Sequence, residues 1–174
     1  MLKRSFDIVF SLIGLILLFP LFLLIALSIL VDSKGGVLYR QLRVGKGGND
    51  FFLYKFRTMV IDADKKGLLT IGNNDDRITR AGHYLRKYKV DELPQLYNVL
   101  KGEMSLVGPR PEVKKYVDLY NEEQKKVLSI RPGITDYASL EYSNENELLD
   151  ASIDSEEKYI REIMPNKLEL NLKY

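Results

Sequence analysis

The longest feature of the hydropathy pattern is an apolar run from Ile8 to Val31 that contains no charged residue. As one straight helix it would measure about 36 Å, enough for a hydrocarbon core of ~30 Å. Pro20 interrupts it, removing a backbone bond and kinking the helix, and leaves arms of roughly 18 Å that are each too short to cross. Lys3 and Arg4 precede the run and Lys34, Arg40 and Arg43 follow it, so the positive-inside tendency draws both ends to one face. Residues 1–33 are therefore expected to form a kinked, re-entrant membrane hairpin with Pro20 at the kink, and Gly14 would let it pack closely on protein. A secretory leader is a poor match, because no small-residue cleavage site follows Val31.

Beyond this run the period changes. Val37–Arg40 and Phe51–Phe56 read as two short strands joined by the Gly-rich turn GKGGND. Residues 62–76 are polar, with Gly67, Gly72 and Asn73-Asn74, the composition of a mobile loop. Helical spacing returns at Arg77–Lys89, again up to Lys101, and at Val113–Leu128, where Tyr116, Leu119, Tyr120 and Val127 fall on one face. An acidic Leu/Ile pattern from Asn144 to Met164 predicts one or two short helices stopped by Pro165. Residues 34–174 are thus expected to be an α+β, mainly helical domain with short strands. The last residues, LELNLKY, carry no cap or turn, as if the C-terminus were truncated.

Composition then narrows the chemistry. The 174 residues carry a net charge of +2, but thirteen basic against five acidic residues lie between Lys34 and Lys89, and nine acidic against two basic between Thr135 and Ile163. The basic half suits anionic partners and the acidic segment a solvated outer surface. No nucleic-acid fold signature accompanies the basic half, so a nucleic-acid partner is not expected. With no cysteine and a single histidine, His83, thiolate catalysis, disulfides and Cys- or His-rich metal sites are excluded. His83 itself reads as a helix-surface or packing residue.

Candidate chemistry concentrates in DELPQLYNVLKGEMSLVGPRPE, residues 91–112. Asp91 and Glu92 open an apolar-periodic run with Pro94 in its first turn, a helix start that should end at the C′ glycine Gly102. Near an N-cap, the Asp91 carboxylate would lie beside free N–H groups and the positive helix end, which lowers its pKa and makes room for a phosphate. Arg110 lies between Pro109 and Pro111, so its guanidinium projects from a stiff loop, as a phosphate clamp would. A second arginine, Arg131, precedes Pro132, and Lys55 and Arg57 share a face of an extended segment, where an anion could sit between them. Ordinary helix capping explains the Asp-Glu pair equally well, and the pair alone decides nothing.

Taken together, KRSFDIVFSLIGLILLFPLFLL, YKFRTM, LRKYKVDELPQLYNVLKGEMSLVGPRPE and IRPGIT resemble the bacterial sugar transferase family, small monotopic phosphoglycosyl transferases acting on polyprenyl phosphate. The resemblance runs over roughly residues 3–135. It implies a catalytic domain on the cytoplasmic face of a bacterial inner membrane, with UDP-sugar, polyprenyl phosphate and membrane lipid as partners and a homodimer as one option. It implies that Asp91 is the nucleophile that forms an aspartyl sugar-phosphate, that Asp91 and Glu92 bind Mg²⁺ or that Glu92 instead manages the acceptor's proton, and that Lys55, Arg57, Arg86, Arg110 and Arg131 bind phosphate or substrate. A non-enzymatic membrane-surface adaptor and a fully spanning N-terminal helix are the competing readings. The chain departs from the family in three places: Phe19 where many members have serine, Asp136-Tyr137 where Gly-Trp is common after IRPGIT, and Asn171 where an aspartate is expected.

Overall fold

The computed structural model describes residues 2–63, 75–142, 149 and 155–174. Most of the polar 62–76 segment and the start of the acidic C-terminal pattern lie outside those residues. Helices α1 (Leu2–Leu17) and α2 (Phe19–Asp32) form the N-terminal element, breaking at Leu18 just before Pro20. Among the described residues no single helix is long and apolar enough to cross a membrane, and the two meet with a bend of 59°. The pair is therefore an open elbow, less folded back than an antiparallel hairpin. The arms exceed the 18 Å expected from the apolar run, at about 24 and 21 Å, because α1 starts six residues before Ile8.

Strands β1 (Leu38–Val44) and β2 (Asp50–Phe56) pair antiparallel from Leu38↔Phe56 to Val44↔Asp50. The first strand extends four residues beyond the expected Arg40, because β2 supplies a partner for each. Helix α3 (Arg80–Lys87) is capped by Thr79, whose side chain accepts from the Gly82 N–H, and it leaves His83 exposed. Helix α4 (Gln95–Lys101) ends as expected at Gly102 (φ 91). Strands β3 (Ser105–Val107) and β4 (Gly133–Thr135) pair in parallel. Gly133 passes so close to the loop after β3 that a Cβ there would lie 2.1 Å from Gly108 N, a contact only glycine allows.

Two expectations for the second half are corrected. The single helix expected over 113–128 is broken: α5 is only Lys114–Val117, and a 3-10 helix, Gln124–Ser129, follows. Asn121 restarts the chain, its Oδ1 accepting from Gln124 N at 2.8 Å while Gln124 Oε1 accepts from Asn121 N at 2.9 Å. That reciprocal capping box turns the chain, burying Tyr116, Tyr120 and Val127 but leaving Leu119 exposed. Pro165 does not stop a helix either. After α6 (Tyr137–Glu141), a run made of α7 (Ser155–Lys158), a π turn (Tyr159–Ile163) and α8 (Met164–Leu172) passes through it. Proline needs no hydrogen bond at the start of α8, and the wide π turn gives its ring room.

Both ends of the bent pair are fastened to the same body. At the N-terminal end, Arg4 donates to Val99 O (2.6 Å) and Leu100 O (3.0 Å), satisfying the last carbonyls of α4. Asp7 is 4% exposed, and its carboxylate accepts from Ser105 Oγ (2.9 and 3.1 Å) and Leu106 N (3.0 Å) on β3. Gly14 packs against Leu96 of α4, where a Cβ would come within 3.1 Å. At the other end, Asp32 accepts from Ala81 N of α3 at 2.9 Å, and Ile25 and Ile29 pack with Phe56 and Leu85. Ser11 is buried as well and Phe22 packs edge-on against Phe56, but most other apolar side chains of both helices, including Phe10, Ile13, Leu17, Leu24 and Leu27, stay exposed.

The Asp7 latch sets the first prediction. In Asp7→Ala the buried Ser105 and Leu106 donors lose their acceptor, a cost of about 1–3 kcal/mol, which should lower the thermal midpoint by roughly 2–4 °C per kcal/mol for a chain of this size. The exposed Asp118→Ala should stay within ~0.5 kcal/mol. Equal midpoints for the two variants, measured by circular dichroism in detergent micelles, would remove Asp7 from the list of stabilising contacts.

Candidate active site

Asp91 and Glu92 lie on a 3-10 turn, Val90–Glu92, between α3 and α4. The chain enters that turn through Lys89 in the left-handed region (φ 54), a backbone cost of order 1 kcal/mol that β-branched residues would not tolerate. The expected placement of Asp91 at the N-cap of a helix is corrected, since α4 begins only at Gln95 with Pro94 before it. Asn98 of α4 holds β2 alongside: its Oδ1 accepts from Tyr54 N (3.1 Å) and its Nδ2 donates to Phe52 O (2.7 Å). Lys55, the next residue of β2, is thereby aimed at the turn.

Glu92 is held by two cations. Lys55 Nζ donates to its Oε1 at 2.9 Å, and Arg110 forks onto both oxygens, Nη1 to Oε2 at 3.1 Å and Nη2 to Oε1. Burial alone would raise the Glu92 pKa, but the charges and hydrogen bonds of Arg110 and Lys55 outweigh it and hold the group well below the ordinary carboxylate range. Lys55 is itself pushed down, first by burial and then by the neighbouring Arg110 and Arg43, against the pull of Glu92.

Asp91 differs from its neighbour. It is 8% exposed, and burial raises its pKa above the ordinary value, with Glu92 adding to the rise and Lys55 and Arg86 opposing it. This reverses the expected lowering: desolvation outweighs a helix end that does not begin at this residue. Among the described residues Asp91 receives no hydrogen bond from a lysine or arginine. Arg86, near the C-terminal end of α3, acts on it through space and is also within the field of Asp75.

The expected cations thus divide. Lys55, Arg86 and Arg110 gather around the Asp-Glu pair. Arg57 does not: β2 ends at Phe56, its alternation lapses there, and the Arg57 guanidinium donates to Lys34 O (2.6 Å) and Ser33 O (2.8 Å) at the end of α2. Gly35 accommodates it, at φ 120 and with space that a Cβ would close to 1.9 Å from Nη1. Arg131 donates to Gly102 O at 2.9 Å, at the end of α4 opposite to the pair. The same-face anion clamp expected of Lys55 and Arg57 is therefore not formed.

Sequence reasoning missed two residues behind Arg110. Arg43 donates to Pro111 O at 3.0 Å and lies 3.5 Å from Glu112, so it braces the proline-flanked loop. Asp136 accepts from the Arg110 backbone N–H at 2.9 Å. Arg43 alternates out of β1 on the face of the strand that meets the loop, a signal visible once β1 is extended to Val44. For Asp136 the available signal was an acid directly after IRPGIT.

As to a divalent ion, the pair offers hard carboxylate oxygens, and among the described residues no third His, Cys, Asp or Glu joins it. Such a donor set fits Mg²⁺ only with phosphate or water oxygens completing the shell.

A carboxyl titration tests this asymmetry. By ¹³C NMR, Asp91 should titrate above an ordinary aspartate (about 3.9), and Glu92 should remain ionised throughout the same range. Lys55→Met removes a charge that stabilises the Asp91 carboxylate, so its midpoint should move further up. A midpoint that falls or stays fixed in Lys55→Met would contradict the geometry.

Comparison with known sequences gives a consistent picture. The chain matches the family described as bacterial sugar transferase over residues 1–172. It is 46% identical over 122 residues to a Bacillus subtilis (strain 168) protein provisionally named undecaprenyl-phosphate N-acetylgalactosaminyl 1-phosphate transferase, covering 70% of this chain and 68% of that protein. It is 43% identical to a UDP-N-acetylgalactosamine-undecaprenyl-phosphate N-acetylgalactosaminephosphotransferase of Aeromonas hydrophila, covering 80% of this chain and 34% of the relative. A UDP-glucose:undecaprenyl-phosphate glucose-1-phosphate transferase of Caulobacter vibrioides is also 43% identical, over 79% of this chain and 53% of its own length. The chain thus spans about a third to two thirds of these relatives.

Proposed function

The chain belongs to the bacterial sugar transferase family and is a transferase, and on that premise we propose that it moves a sugar 1-phosphate from a UDP-sugar to polyprenyl phosphate, releasing UMP. The observation that carries the assignment of roles is the asymmetry of the pair: Glu92 is committed to two cations that hold its pKa down, whereas Asp91 is buried beside them, its pKa is raised, and among the described residues it receives no such bond. In this reading an Asp91 carboxylate oxygen attacks the β-phosphorus, the bond to the UMP oxygen breaks, and an aspartyl sugar-phosphate forms. A phosphate oxygen of polyprenyl phosphate then attacks the same phosphorus, breaking the acyl-phosphate bond and restoring Asp91. Splitting the transfer in two spares the site from holding both anionic substrates in reacting contact at once.

Desolvation is what makes Asp91 suitable. A carboxylate stripped of water, whose pKa burial has raised, is a better nucleophile than a solvated one. Glu92 holds Lys55 and Arg110 in place before substrate arrives, and the diphosphate can draw on the same two cations, with Arg86 beside Asp91. Mg²⁺, held by Asp91 and Glu92 together with diphosphate oxygens, would neutralise phosphate charge when bound.

The bent pair gives this chemistry its place. Fastening of both helix ends to one body, by Arg4 and Asp7 on one side and Asp32 on the other, supports a re-entrant elbow dipping into the bacterial membrane. The site would then rest on the cytoplasmic face, where the phosphate of a polyprenyl lipid lies at the headgroup level. A spanning helix would have to break those contacts at one end, and an adaptor has no use for a desolvated aspartate.

Two experiments test this reading. Asp91→Asn should abolish both UMP release and the covalent sugar-phosphate adduct, Glu92→Gln should be severely impaired, and Arg110→Lys should lose roughly tenfold or more because a point charge cannot fork. An active Asp91→Asn enzyme sinks the nucleophile assignment. Because the chain has no cysteine, a single Cys at position 3 reports topology cleanly. It should be protected from impermeant reagent in intact cells and become partly labelled in Pro20→Ala, which restores the N–H and removes the ring clash that together disfavour proline within a helix by ~3 kcal/mol.

A further inference from the structure

The loop that presents Arg110 has an unusual backbone. In Pro109-Arg110-Pro111 only the middle residue carries an N–H, so that single donor is the one main-chain handle by which the tripeptide can be held from its donor side. It is taken by the Oδ2 of Asp136 at 2.9 Å, a carboxylate 5% exposed. The other oxygen, Oδ1, accepts from Ser139 N at 2.6 Å and so caps α6. Around this bond the loop is fixed by carbonyls and flanks: Gly133 N donates to Pro109 O at 2.9 Å, Gly108 N to Thr135 O at 3.0 Å, and Val44 N to Glu112 O at 2.8 Å. The Arg110 guanidinium then reaches Glu92.

We propose that Asp136 is a positioning residue for Arg110: one carboxylate oxygen caps α6 while the other pins the only N–H of the proline-flanked loop, setting where the guanidinium meets Glu92 and the incoming phosphate. The position is one where the family resemblance led us to expect glycine, which has no side chain to make either bond. It rests on Arg110 serving the phosphate site described above. A loop with both neighbouring φ angles locked cannot relax locally, so loss of the bond displaces the whole guanidinium rather than one torsion. Displacements on the scale of an ångström in a transfer site cost up to about a hundredfold in rate.

Asp136→Ser separates the two duties. Its single short hydroxyl satisfies the cap as well as aspartate does, but it is one bond too short to reach the Arg110 N–H as well. The assay is UMP release from UDP-N-acetylgalactosamine or UDP-glucose with undecaprenyl phosphate. Asp136→Ser should lower the thermal midpoint by no more than the few degrees that one unpaired N–H costs, keep a slowly exchanging Ser139 amide, expose the Arg110 amide to faster hydrogen exchange, and lose about tenfold or more in kcat/KM. In an Arg110→Ala background the same change should alter kcat/KM less than about twofold, as expected of residues acting as one unit. Wild-type kcat/KM in Asp136→Ser, an unchanged Arg110 amide, or an equal loss in both backgrounds would each overturn the proposal. Failure of the wild-type chain to release UMP from either donor counts against the proposed reaction, and the Arg110 amide exchange still decides the positioning of the loop.

Discussion

The structure around the Asp-Glu turn is organised by one electrostatic constraint: a partly buried carboxylate, Glu92, shared between Lys55 and Arg110. Bringing two cations and two carboxylates into a desolvated corner is costly unless the charges are distributed. Assigning both cations to one acid resolves most of that cost, and it leaves the other acid, Asp91, with a raised pKa. The two adjacent residues are chemically alike in the sequence. Their environments make them different.

That distribution depends on three separate elements arriving together. Lys55 comes from β2, which Asn98 holds against α4. Arg110 comes from the loop after β3, which is braced by Arg43 and pinned by Asp136. β3 is in turn latched to α1 through Asp7 and Ser105, so the apolar bent pair is bonded to the strand that leads into the Arg110 loop. The apolar elbow is therefore part of the same framework as the site, with the Arg4 guanidinium closing the end of α4.

Much of this was legible in the sequence where local rules decide the outcome. Pro20 marks the break, Gly102 ends α4, the Gly-rich turn joins β1 to β2, and the flanking prolines announce Arg110 as a fixed cation. What escaped depends on distant partners. Asp7 reads as a stray acid at the edge of an apolar run, because only the fold reveals Ser105 beneath it. Arg57 shares its pattern with Lys55, yet a few ångströms of chain separate a strand residue facing the site from a post-strand residue clamping the end of α2. The interrupted 113–128 helix was decipherable, since Asn121-Glu-Glu-Gln124 is a capping signature, but amphipathic spacing masked it. Pro165 misled for the opposite reason: a proline stops a helix only when the preceding turn cannot widen, and here a π turn does so.

The raised pKa of Asp91 bears on how such a site can exist at all. In the proposed reaction, burial that favours attack on phosphorus also favours protonation, which would silence the nucleophile. The charges of Lys55 and Arg86 limit that penalty. Had Arg110 turned its fork onto Asp91 instead, the charge would be secure but its lone pairs would be engaged. In the proposed reaction, the framework that aims Arg110 at Glu92 therefore leaves Asp91 to the phosphorus, and the loop geometry that sets that aim matters as much as the identity of the acids.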